Sequence, residues 1–430
     1  MTDKRPYSQP LEMGKYERLP GACGKYDNVR RLWEDRVTGL FLAPHLGRLI
    51  RRKREEGEAL RILDLGCGSG DGLDLVLAIA EPTIQMPNLK TTMVTDDMID
   101  EYVGLDINVD LLAHAQARHA HRAKARYVAG DLSQGLPLEI LLDHRPFDLY
   151  FCSYAMLSHF NDEQCAKILA DICRHAPSGD ALFVGDWLGH YSYEWQPLWR
   201  ESPEADYFMG YRMSYLYAEP ERRSGDIPVF PLRLMTPKEI LAIVEEVSKQ
   251  SEAELNPLVV FDRSILTGRH TDTHEYNGQI PPLRSLINSL FEPYVRTDLR
   301  ELIVDYAPRS GFEEINGFYT RFFAASNRLV DYTITLLENS GETAARRGRP
   351  TFATAHSHYL EKAMQAMRGV VDGAGSIAWG DTRANLIEPT LAFGLQFLET
   401  NLQKGLGVGH SIAAIVGISK YRRKLTAEIG

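Results

Sequence analysis

Short apolar runs alternate with amphipathic stretches along the first two thirds of the chain. The apolar run at 60–65 precedes a stretch in which Leu73, Val76 and Leu77 share one helical face. Similar runs predict further strands at 101–108, 125–132, 147–155, 180–188 and 257–270. Strands that alternate with helices at this rhythm predict a parallel sheet covered by helices on both faces.

The two ends of the chain extend this pattern. Asp27 can cap a helix that carries Val29 and Trp33 on one face, and the chain beyond 280 is predicted to be mainly helical. The segment 410–420 again has the pattern of a strand, and we expect it to return to the sheet as the seventh strand. The predicted fold class is therefore α/β: a doubly wound, Rossmann-like, seven-stranded and mainly parallel sheet with a large, mainly helical insertion.

Four regions follow from these elements. Residues 81–100 intrude between the first helix and the second strand of the core, and we expect them to loop out. The regions are an N-terminal helical cap at 1–58, a ligand-binding core at 59–275 with an aromatic lid at 189–235, a mainly helical region for substrate binding or oligomerisation at 276–405, and the returning strand and tail at 406–430.

Composition and charge narrow the function classes. The 48 Lys and Arg against 58 Asp and Glu give a formal net charge of −10, which does not indicate a basic surface for nucleic acid. No apolar run approaches the ~18 residues of a membrane span, and the first residues lack the apolar core of a secretory signal. The five cysteines form no C-x-x-C pair, so we expect reduced thiols in a cytoplasmic protein. No typical metal-ligand set is found, and we expect no metal.

Three glycines follow the first strand at alternate positions, in LRILDLGCGSGDGL at 60–73. In an open α/β sheet, ligands bind beyond the carboxyl ends of the strands. Gly66, Gly68 and Gly70 stand at such an end and allow the backbone to approach a ligand closely. A phosphate loop would continue with Gly-Lys-Ser/Thr, and a dinucleotide fingerprint would have the spacing G-x-G-x-x-G. Neither matches.

Three acidic residues at strand ends indicate a different ligand. Asp64 precedes the glycines, where a carboxylate repels a pyrophosphate and suits an ammonium group. Asp106 ends the second strand and can accept two hydrogen bonds from a ribose diol. Asp131 ends the third strand and can accept from the exocyclic amine of adenine. An adenosine joined to an amino acid fits these acids better than one joined to phosphates.

The motifs ILDLGCGSG, YVGLDIN, VAGDL and FDLYFCSYAMLSHF, in this order, resemble the class I S-adenosylmethionine (SAM)-dependent methyltransferase family over roughly 25–270. The resemblance implies SAM as cofactor and methyl transfer as the activity. The spermidine-synthase-like enzymes are the alternative among Rossmann relatives. By motif position, the cofactor-binding residues would be Asp64, Gly66, Cys67, Gly68 and Gly70 for the methionine part, Asp106 and Ile107 for ribose and adenine, Asp131 and Leu132 beside adenine, and Ser153 and Tyr154 on the sulfonium side.

Two further points qualify the cofactor site. Asp106 lies 36 positions after Gly70, further than is usual in the family, which the insertion at 81–100 explains if it loops out. At the N-terminus, Tyr26, Arg30 and Arg31 could close over the SAM carboxylate. A solvated helix face is the alternative for at least one of these two arginines.

Candidate catalytic residues are histidines after the fourth, fifth and sixth strands. A general base is needed only where the methyl acceptor carries a proton of high pKa. The candidates rank His159 first, His190 second and His270 third. The alternative for each of them is a packing or capping role.

Candidate substrate residues lie after the fifth strand and near 270. Aromatic side chains crowd the stretch 187–217 and can bury an apolar substrate or enclose a cation. The alternative is an interface between this stretch and the helical region. The candidates are Asp186, Tyr191, Trp195, Tyr211 and Arg269, the last of which could orient an anionic substrate or be a solvated strand end.

The function predicted from the sequence is SAM-dependent methylation of a small molecule such as a specialised metabolite, at oxygen or nitrogen rather than carbon. The alternatives are a protein or peptide methyltransferase and a catalytically silent SAM-binding partner subunit. The partner expected is a small-molecule substrate, with neither nucleic acid nor membrane, and a homodimer is left open.

Overall fold

The computed structural model describes residues 5–17, 24–80, 92–201, 207–224, 227–339, 358–374 and 380–420. Its strands are β1 (Leu60–Leu65), β2 (Ile99–Asp106), β3 (Ala125–Ala129), β4 (Leu149–Phe151), β5 (Asp180–Gly189), β6 (Phe208–Arg212), β7 (Val229–Met235), β8 (Glu254–Arg263) and β9 (Ser411–Ser419).

The α-helices of the described ranges lie mostly between these strands. They are α1 (Arg5–Glu12), α2 (Asp35–Glu56), α3 (Asp71–Ala78), α4 (Val109–Arg118), α5 (Leu138–Asp143), α6 (Asp162–His175), α7 (Glu219–Ser224), α8 (Pro237–Gln250), α9 (Leu283–Leu290), α10 (Glu313–Glu338), α11 (His358–Ala374) and α12 (Glu388–Leu402). Single π-helical turns, Arg30–Glu34 and Arg383–Ile387, lead into α2 and α12.

The main sheet has seven strands in the order β3-β2-β1-β4-β5-β9-β8. The strands β1 to β5 pair in parallel. The last strand, β9, lies antiparallel between β5 and β8, with Ser411 opposite both Leu188 and Arg263. A hairpin of β6 and β7 adjoins the end of β5, where Leu188 pairs with Leu234. The predicted fold class and the return of the final strand are confirmed.

Several strands differ in extent from the prediction, most of all the fourth, predicted at 147–155 and observed at Leu149–Phe151, and the sixth. The strand predicted at 257–270 ends at Arg263, because Ser264 takes a left-handed φ of 60°. The backbone N–H groups of Ser264, Ile265 and Leu266 donate to the Glu399 carboxylate instead of to a strand. Residues 264–270 are therefore a turning segment, not a strand end. The fifth strand runs to Gly189, close to the predicted end, and Asp186 lies within this strand and not after it.

The helical region packs on the segment that follows β5. Helices α10, α11 and α12 contact one another between β8 and β9. Trp199 stacks on Tyr319 of α10 with ring centroids 5.8 Å apart, and Tyr193 contacts Phe323 at 5.3 Å. The Tyr319 hydroxyl lies 2.9 Å from the carbonyl oxygen of Tyr191. The aromatic residues after β5 therefore form a core with the helical region.

Several other expectations concern the periphery of the fold. Of the insertion at 81–100, residues 81–91 lie outside the described ranges, and Ala80 and Thr92 form a bridge across them. Four cysteines, all free and buried, fall within the described part: Cys67, Cys152, Cys165 and Cys173. No helix in that part combines the length and apolar character that crossing a bilayer requires.

Replacement of Glu399 by Ala should lower the free energy of unfolding by at least about 3 kcal/mol, because buried donors lose their acceptor. These donors are the three N–H groups of 264–266 and the indole N–H of Trp33, 2.9 Å from Oε1. The exposed Glu338, whose one ion-pair partner among the described residues is Arg300, is the matched control and should cost at most about 1 kcal/mol as Ala. Urea unfolding measures both. Equal losses would contradict the assignment.

Candidate active site

A cavity of about 240 Å³ lies at the carboxyl ends of β1, β2, β3 and β4. Its walls come from segments far apart in the sequence: the N-terminal residues, the glycine loop, the ends of β2 and β3, the loop after β4, the β6–β7 hairpin and the segment after β8. From the cofactor residues predicted above, the cavity is lined by Arg30, Gly66, Cys67, Gly68, Asp106, Ile107, Asp131, Leu132, Ser153 and Tyr154.

The glycine loop needs its glycines for conformation and for close packing. Gly66, Gly68 and Gly70 have φ values of 68°, 51° and 82°, in the left-handed region. A Cβ on Gly66 would lie 2.3 Å from the Met156 side chain, and one on Gly70 would lie 2.9 Å from His119. Gly70 begins α3 and does not line the cavity. A Cβ on Gly68 would meet open space, so the loop offers bare backbone to the cavity there.

Asp106 lies at the floor of the cavity beneath the loop. Its Oδ2 accepts a hydrogen bond of 2.8 Å from the backbone N–H of Gly68, and its Oδ1 accepts one of 2.8 Å from Asn108. Burial raises the pKa of this carboxyl. Asp131 lines the same cavity from the end of β3, where its Oδ1 accepts from the backbone N–H of Ser133.

Asp64 lies behind the loop, which corrects the prediction that it faces an ammonium group. Its side chain accepts a hydrogen bond of 2.5 Å from the Tyr102 hydroxyl. Only 1% of the surface of Asp64 is exposed. A Cβ on Gly72 would lie 2.2 Å from Oδ2, so the carboxyl fills the space under the start of α3. Burial raises its pKa to about 7. Asp64 therefore supports the loop from behind.

A cluster of charges lies at one end of the cavity, and the sequence analysis predicted Arg30 and Tyr26 there but missed Lys25 and Asp71. The Lys25 ammonium lies 2.9 Å from Asp71 Oδ2 and 2.9 Å from Ser69 Oγ. Arg30 is 3.5 Å from the same Asp71 oxygen, and the Tyr26 hydroxyl donates to Oδ1 from outside the cavity. Although burial alone would raise it, Lys25 and Arg30 hold the pKa of Asp71 below its usual range. The position of Asp71 directly after Gly70 was the available signal.

The other predicted N-terminal arginine, Arg31, is not in this cluster. It is exposed and donates a hydrogen bond of 2.9 Å to the Asn28 side chain. The alternative of a solvated helix face therefore applies to Arg31. Arg30, by contrast, is buried and lines the cavity.

The loop after β4 is strained where it meets the cavity. Tyr154 and Ala155 have φ values of 60° and 58°, which are costly for residues with a Cβ. The Tyr154 backbone N–H donates to Asp186 Oδ2 at 2.8 Å, and its ring lies 3.4 Å from the Arg30 guanidinium carbon. Asp186 also accepts from Arg263 at 2.6 Å. Asp186 thus fixes this loop and does not line the cavity, which corrects its prediction as a substrate residue.

One of the three candidate histidines lines the cavity. The His159 Nε2 lies 2.8 Å from the Tyr7 hydroxyl, and burial lowers the pKa of His159 to about 4. His190 accepts a backbone hydrogen bond of 3.3 Å from Arg200 outside the cavity. His270 packs behind Tyr211 with ring centroids 4.9 Å apart. The predictions of His190 and His270 as bases are therefore corrected to packing roles.

The substrate candidates divide in the same way. Tyr211 and Arg269 line the cavity. Trp195 is fully buried, with its indole N–H donating to the Gly189 carbonyl at 2.9 Å, and Tyr191 packs against Trp199. Both are core residues because they fill the contact with the helical region. In the described part of 276–405, no residue lines the cavity, so this region does not share in it.

An aromatic wall faces the loop after β4, and most of its members were not predicted. We use this term for Tyr7, His159, Tyr211, Tyr215 and Phe230, all of which line the cavity. His159 stacks on Phe230 with centroids 5.5 Å apart, and Tyr211 lies 5.8 Å from Phe230. Among the described residues, no group of three or more His, Cys, Asp or Glu side chains is arranged to hold a metal ion.

Comparison with known proteins agrees with this site. Residues 62–179 match the family model of the methyltransferase domain, whereas no curated protein sequence matches the chain. A solved SAM-dependent methyltransferase from Clostridium acetobutylicum is 14% identical, with a TM-score of 0.32, over 54% of this chain and 83% of its own. CalS10, an amino pentose methyltransferase from Micromonospora echinaspora involved in calicheamicin biosynthesis, is 18% identical, with a TM-score of 0.31, over 53% and 86%.

The chain combines a Rossmann-like sheet and a glycine loop with a segment, 62–179, that matches the methyltransferase domain family. The chain carries a SAM-dependent methyltransferase domain, and SAM is its cofactor. The family resemblance, the enzyme class and the cofactor predicted from the motifs are thereby confirmed. The family match carries this identification, since structural similarity at these scores adds nothing to it.

Replacement of Asp106 by Ala should weaken SAM or S-adenosylhomocysteine binding by about 1.5–3 kcal/mol, because hydrogen bonds to a charged acceptor are lost. Asp110→Ala is the matched control, since that carboxylate accepts from Ser8 and lies outside the cavity. Calorimetric titration of the two variants measures the difference. Asp64→Asn should weaken binding less than Asp106→Ala, and the reverse order would contradict the placement of Asp64 behind the loop.

The buried histidines should make stability depend on pH. Burial lowers the pKa of His159, His190 and His270 to about 4, 4 and 3. The unfolded chain, with an ordinary histidine pKa of about 6.5, therefore binds protons that the folded chain does not, and stability falls as pH falls from about 6.5 towards 4. Buried carboxyls with raised pKa, such as Asp64, have the opposite sign, so the effect is measured as a difference between variants.

His159→Gln should reduce the slope of the unfolding free energy against pH in this window by up to about 1.36 kcal/mol per pH unit. The exposed His121 is the control, and His121→Gln should leave the slope unchanged. Urea unfolding between pH 4 and pH 6.5, a window set by the values above, measures both. A slope that is the same in His159→Gln and in the wild type would refute a buried, neutral His159.

Proposed function

We propose that this enzyme methylates a small organic molecule, at oxygen or nitrogen, bound in the cavity beside the glycine loop. The observation that supports the proposal is the continuity of the cavity, which extends from Gly68 and Asp106 to Tyr211 and Arg269. An enclosed space next to the cofactor residues suits a small acceptor better than a polypeptide, which needs an open groove.

The residues around the cavity suit an in-line displacement. When bound, SAM supplies a methyl group attached to a positively charged sulfur, and this sulfur is a leaving group that needs no further activation. The protein's part is then to align the acceptor and to exclude water. We assign the methionine end to the loop at Gly66–Gly68 with Lys25 and Arg30, and the sulfonium side to Ser153 and Tyr154, all of which line the cavity.

His159 is the proposed proton acceptor where the substrate carries a hydroxyl. Burial lowers its pKa to about 4, which leaves the ring neutral near pH 7 but makes it a weaker base than an ordinary histidine. The Tyr7 hydroxyl at 2.8 Å holds the ring in place. An amine that is already neutral in the cavity needs no base, and alignment by the aromatic wall then suffices.

The helical region at 276–405 has a supporting role in this proposal. Arg284 of α9 reaches the cavity floor through hydrogen bonds of 2.7 Å to Glu34 and to Asp27. Glu399 of α12 holds the segment after β8. Both sets of contacts stabilise residues that line the cavity or lie just before such residues in the chain. We therefore expect substitution of Arg284 or Glu399 to lower the free energy of unfolding more than it changes the choice of substrate.

A labelling experiment tests the proposed function. The full chain is incubated with methyl-labelled SAM and, separately, with an ultrafiltered metabolite extract or with a protein extract. We expect label in the small-molecule fraction, and Asp106→Ala should reduce it. Label in the protein fraction alone would favour a protein methyltransferase, and binding of S-adenosylhomocysteine without any transfer would favour a silent subunit.

Once the acceptor is identified, His159→Gln should lower turnover on a hydroxyl acceptor by ~10²–10⁴-fold while leaving S-adenosylhomocysteine affinity nearly unchanged. Tyr7→Phe should have a smaller effect on turnover, because it removes the hydroxyl that orients the ring. Single-turnover rates measure both. A rate within a few-fold of the wild type for His159→Gln would leave alignment as the mechanism.

A further inference from the structure

One end of the cavity combines aromatic rings with polar groups that make few hydrogen bonds to the described residues. It is formed by Tyr16, Tyr211, Tyr215 and Arg269. We propose that this end binds an anionic oxygen group, such as a carboxylate, of a planar aromatic molecule, and that the acceptor of the methyl group belongs to this class. The inference rests on the proposed function and deepens it.

Arg269 has hydrogen-bonding capacity to spare. Its side chain is only 9% exposed and lines the cavity. One guanidinium nitrogen donates to Glu34 Oε2 at 3.0 Å, and no other hydrogen bond joins the guanidinium to a described residue. An arginine has five N–H donors in a fixed planar fork that matches a carboxylate. A buried cation with most of its donors open to a cavity points to a ligand that supplies acceptors.

Arg263 provides the comparison within the same site. It also lines the cavity, yet each of its three nitrogens has a partner: Ser411, Thr38 and Asp186 at 3.0, 2.9 and 2.6 Å. Its hydrogen bonds are thus used to hold the fold together. The difference between the two arginines indicates that Arg269 alone of this pair is available to a ligand.

Glu34 is shared between two arginines and occupies only part of the hydrogen-bonding capacity of Arg269. It accepts from Arg284 at 2.7 Å as well as from Arg269. Although burial alone would raise it, the pKa of Glu34 is held well below its usual range by the surrounding guanidinium groups of Arg269, Arg284, Arg263 and Arg30. Arg284, Arg263 and Arg30 are also paired with Asp27, Asp186, Asp35 and Asp71, so Arg269 is the cation of this cluster with most capacity for a further acceptor.

Three phenolic hydroxyls add donors and flat surfaces. The hydroxyls of Tyr16, Tyr211 and Tyr215 make no hydrogen bond within the described part of the chain, and all three side chains line the cavity. The Arg269 guanidinium lies 4.9 Å from the centroid of the Tyr215 ring. A planar ring can stack among these side chains while its anionic oxygens accept from the guanidinium and the phenols. The two features together select an aromatic anion over an aliphatic or a neutral molecule.

The test uses the full chain saturated with S-adenosylhomocysteine and a panel of mono- and bicyclic aromatic carboxylates, each paired with its neutral primary amide. Binding is measured by calorimetry and by ligand-observed NMR. We expect the best carboxylates to bind at least about tenfold more tightly than their amides. In Arg269→Gln this preference should fall to about twofold or less. Arg296→Gln, which removes an exposed arginine paired with Asp381, should keep the wild-type preference.

Additional variants and controls distinguish loss of the binding site from loss of the fold. If Arg269→Gln is unstable, Tyr211→Phe and Tyr215→Phe, which remove only hydroxyls, should reduce the preference in part. No preference in the wild type, no binding by any panel member, or a preference that persists in Arg269→Gln overturns the inference. Loss of S-adenosylhomocysteine affinity in Arg269→Gln would assign the guanidinium to the cofactor and also overturns it. Failure of the wild type to bind S-adenosylhomocysteine would instead overturn the proposed function.

Discussion

The buried ion cluster around Glu34 is the interaction on which the rest of the site depends. Glu34 joins three segments that are distant in the chain: its own helical turn, the segment after β8 through Arg269 and Ser264, and α9 through Arg284. Charges removed from water are costly unless they are paired and hydrogen-bonded. The segments must therefore come together for any of them to be stable, and where they meet, Glu34 and Arg269 line the cavity.

A second buried carboxylate, that of Asp262, explains how a large helical region fits between two neighbouring strands of the sheet. Asp262, near the end of β8, accepts hydrogen bonds from the backbone N–H groups of Leu406, Val408 and Gly409 at 2.7–3.2 Å. The insertion thus leaves the sheet and returns to it at one anchored point. β9 can then pair along the whole of β5 although about 150 residues separate β8 from β9 in the chain.

Local patterns in the sequence were sufficient for the parallel strands and for the positions of the glycine loop and Asp106, but not for Lys25 and Asp71 in the same cavity wall. The glycines and Asp106 are tied to one strand end each, so their positions follow from the order of strands alone. The roles of the aromatic residues after β5 could not be predicted from the sequence. A stretch rich in aromatic residues is equally typical of a hydrophobic core and of a substrate-binding site. Trp195 is core, packed against Tyr276 and His410, whereas Tyr211 lines the cavity, and only the tertiary structure distinguishes the two.

Contacts across large sequence distances account for the remaining differences. Tyr7 meets His159 across 152 positions, and Lys25 meets Ser69 across 44, and neither pairing leaves a periodic trace in the sequence. The turning segment after β8 depends on Glu399, more than 130 positions away. The buried polar side chains of this molecule therefore fall into two groups, according to whether the protein itself supplies their hydrogen-bond partners. Those with a partner for each nitrogen, such as Arg263, hold distant segments together, and we infer that those with open donors beside the cavity, such as Arg269, are where a ligand binds.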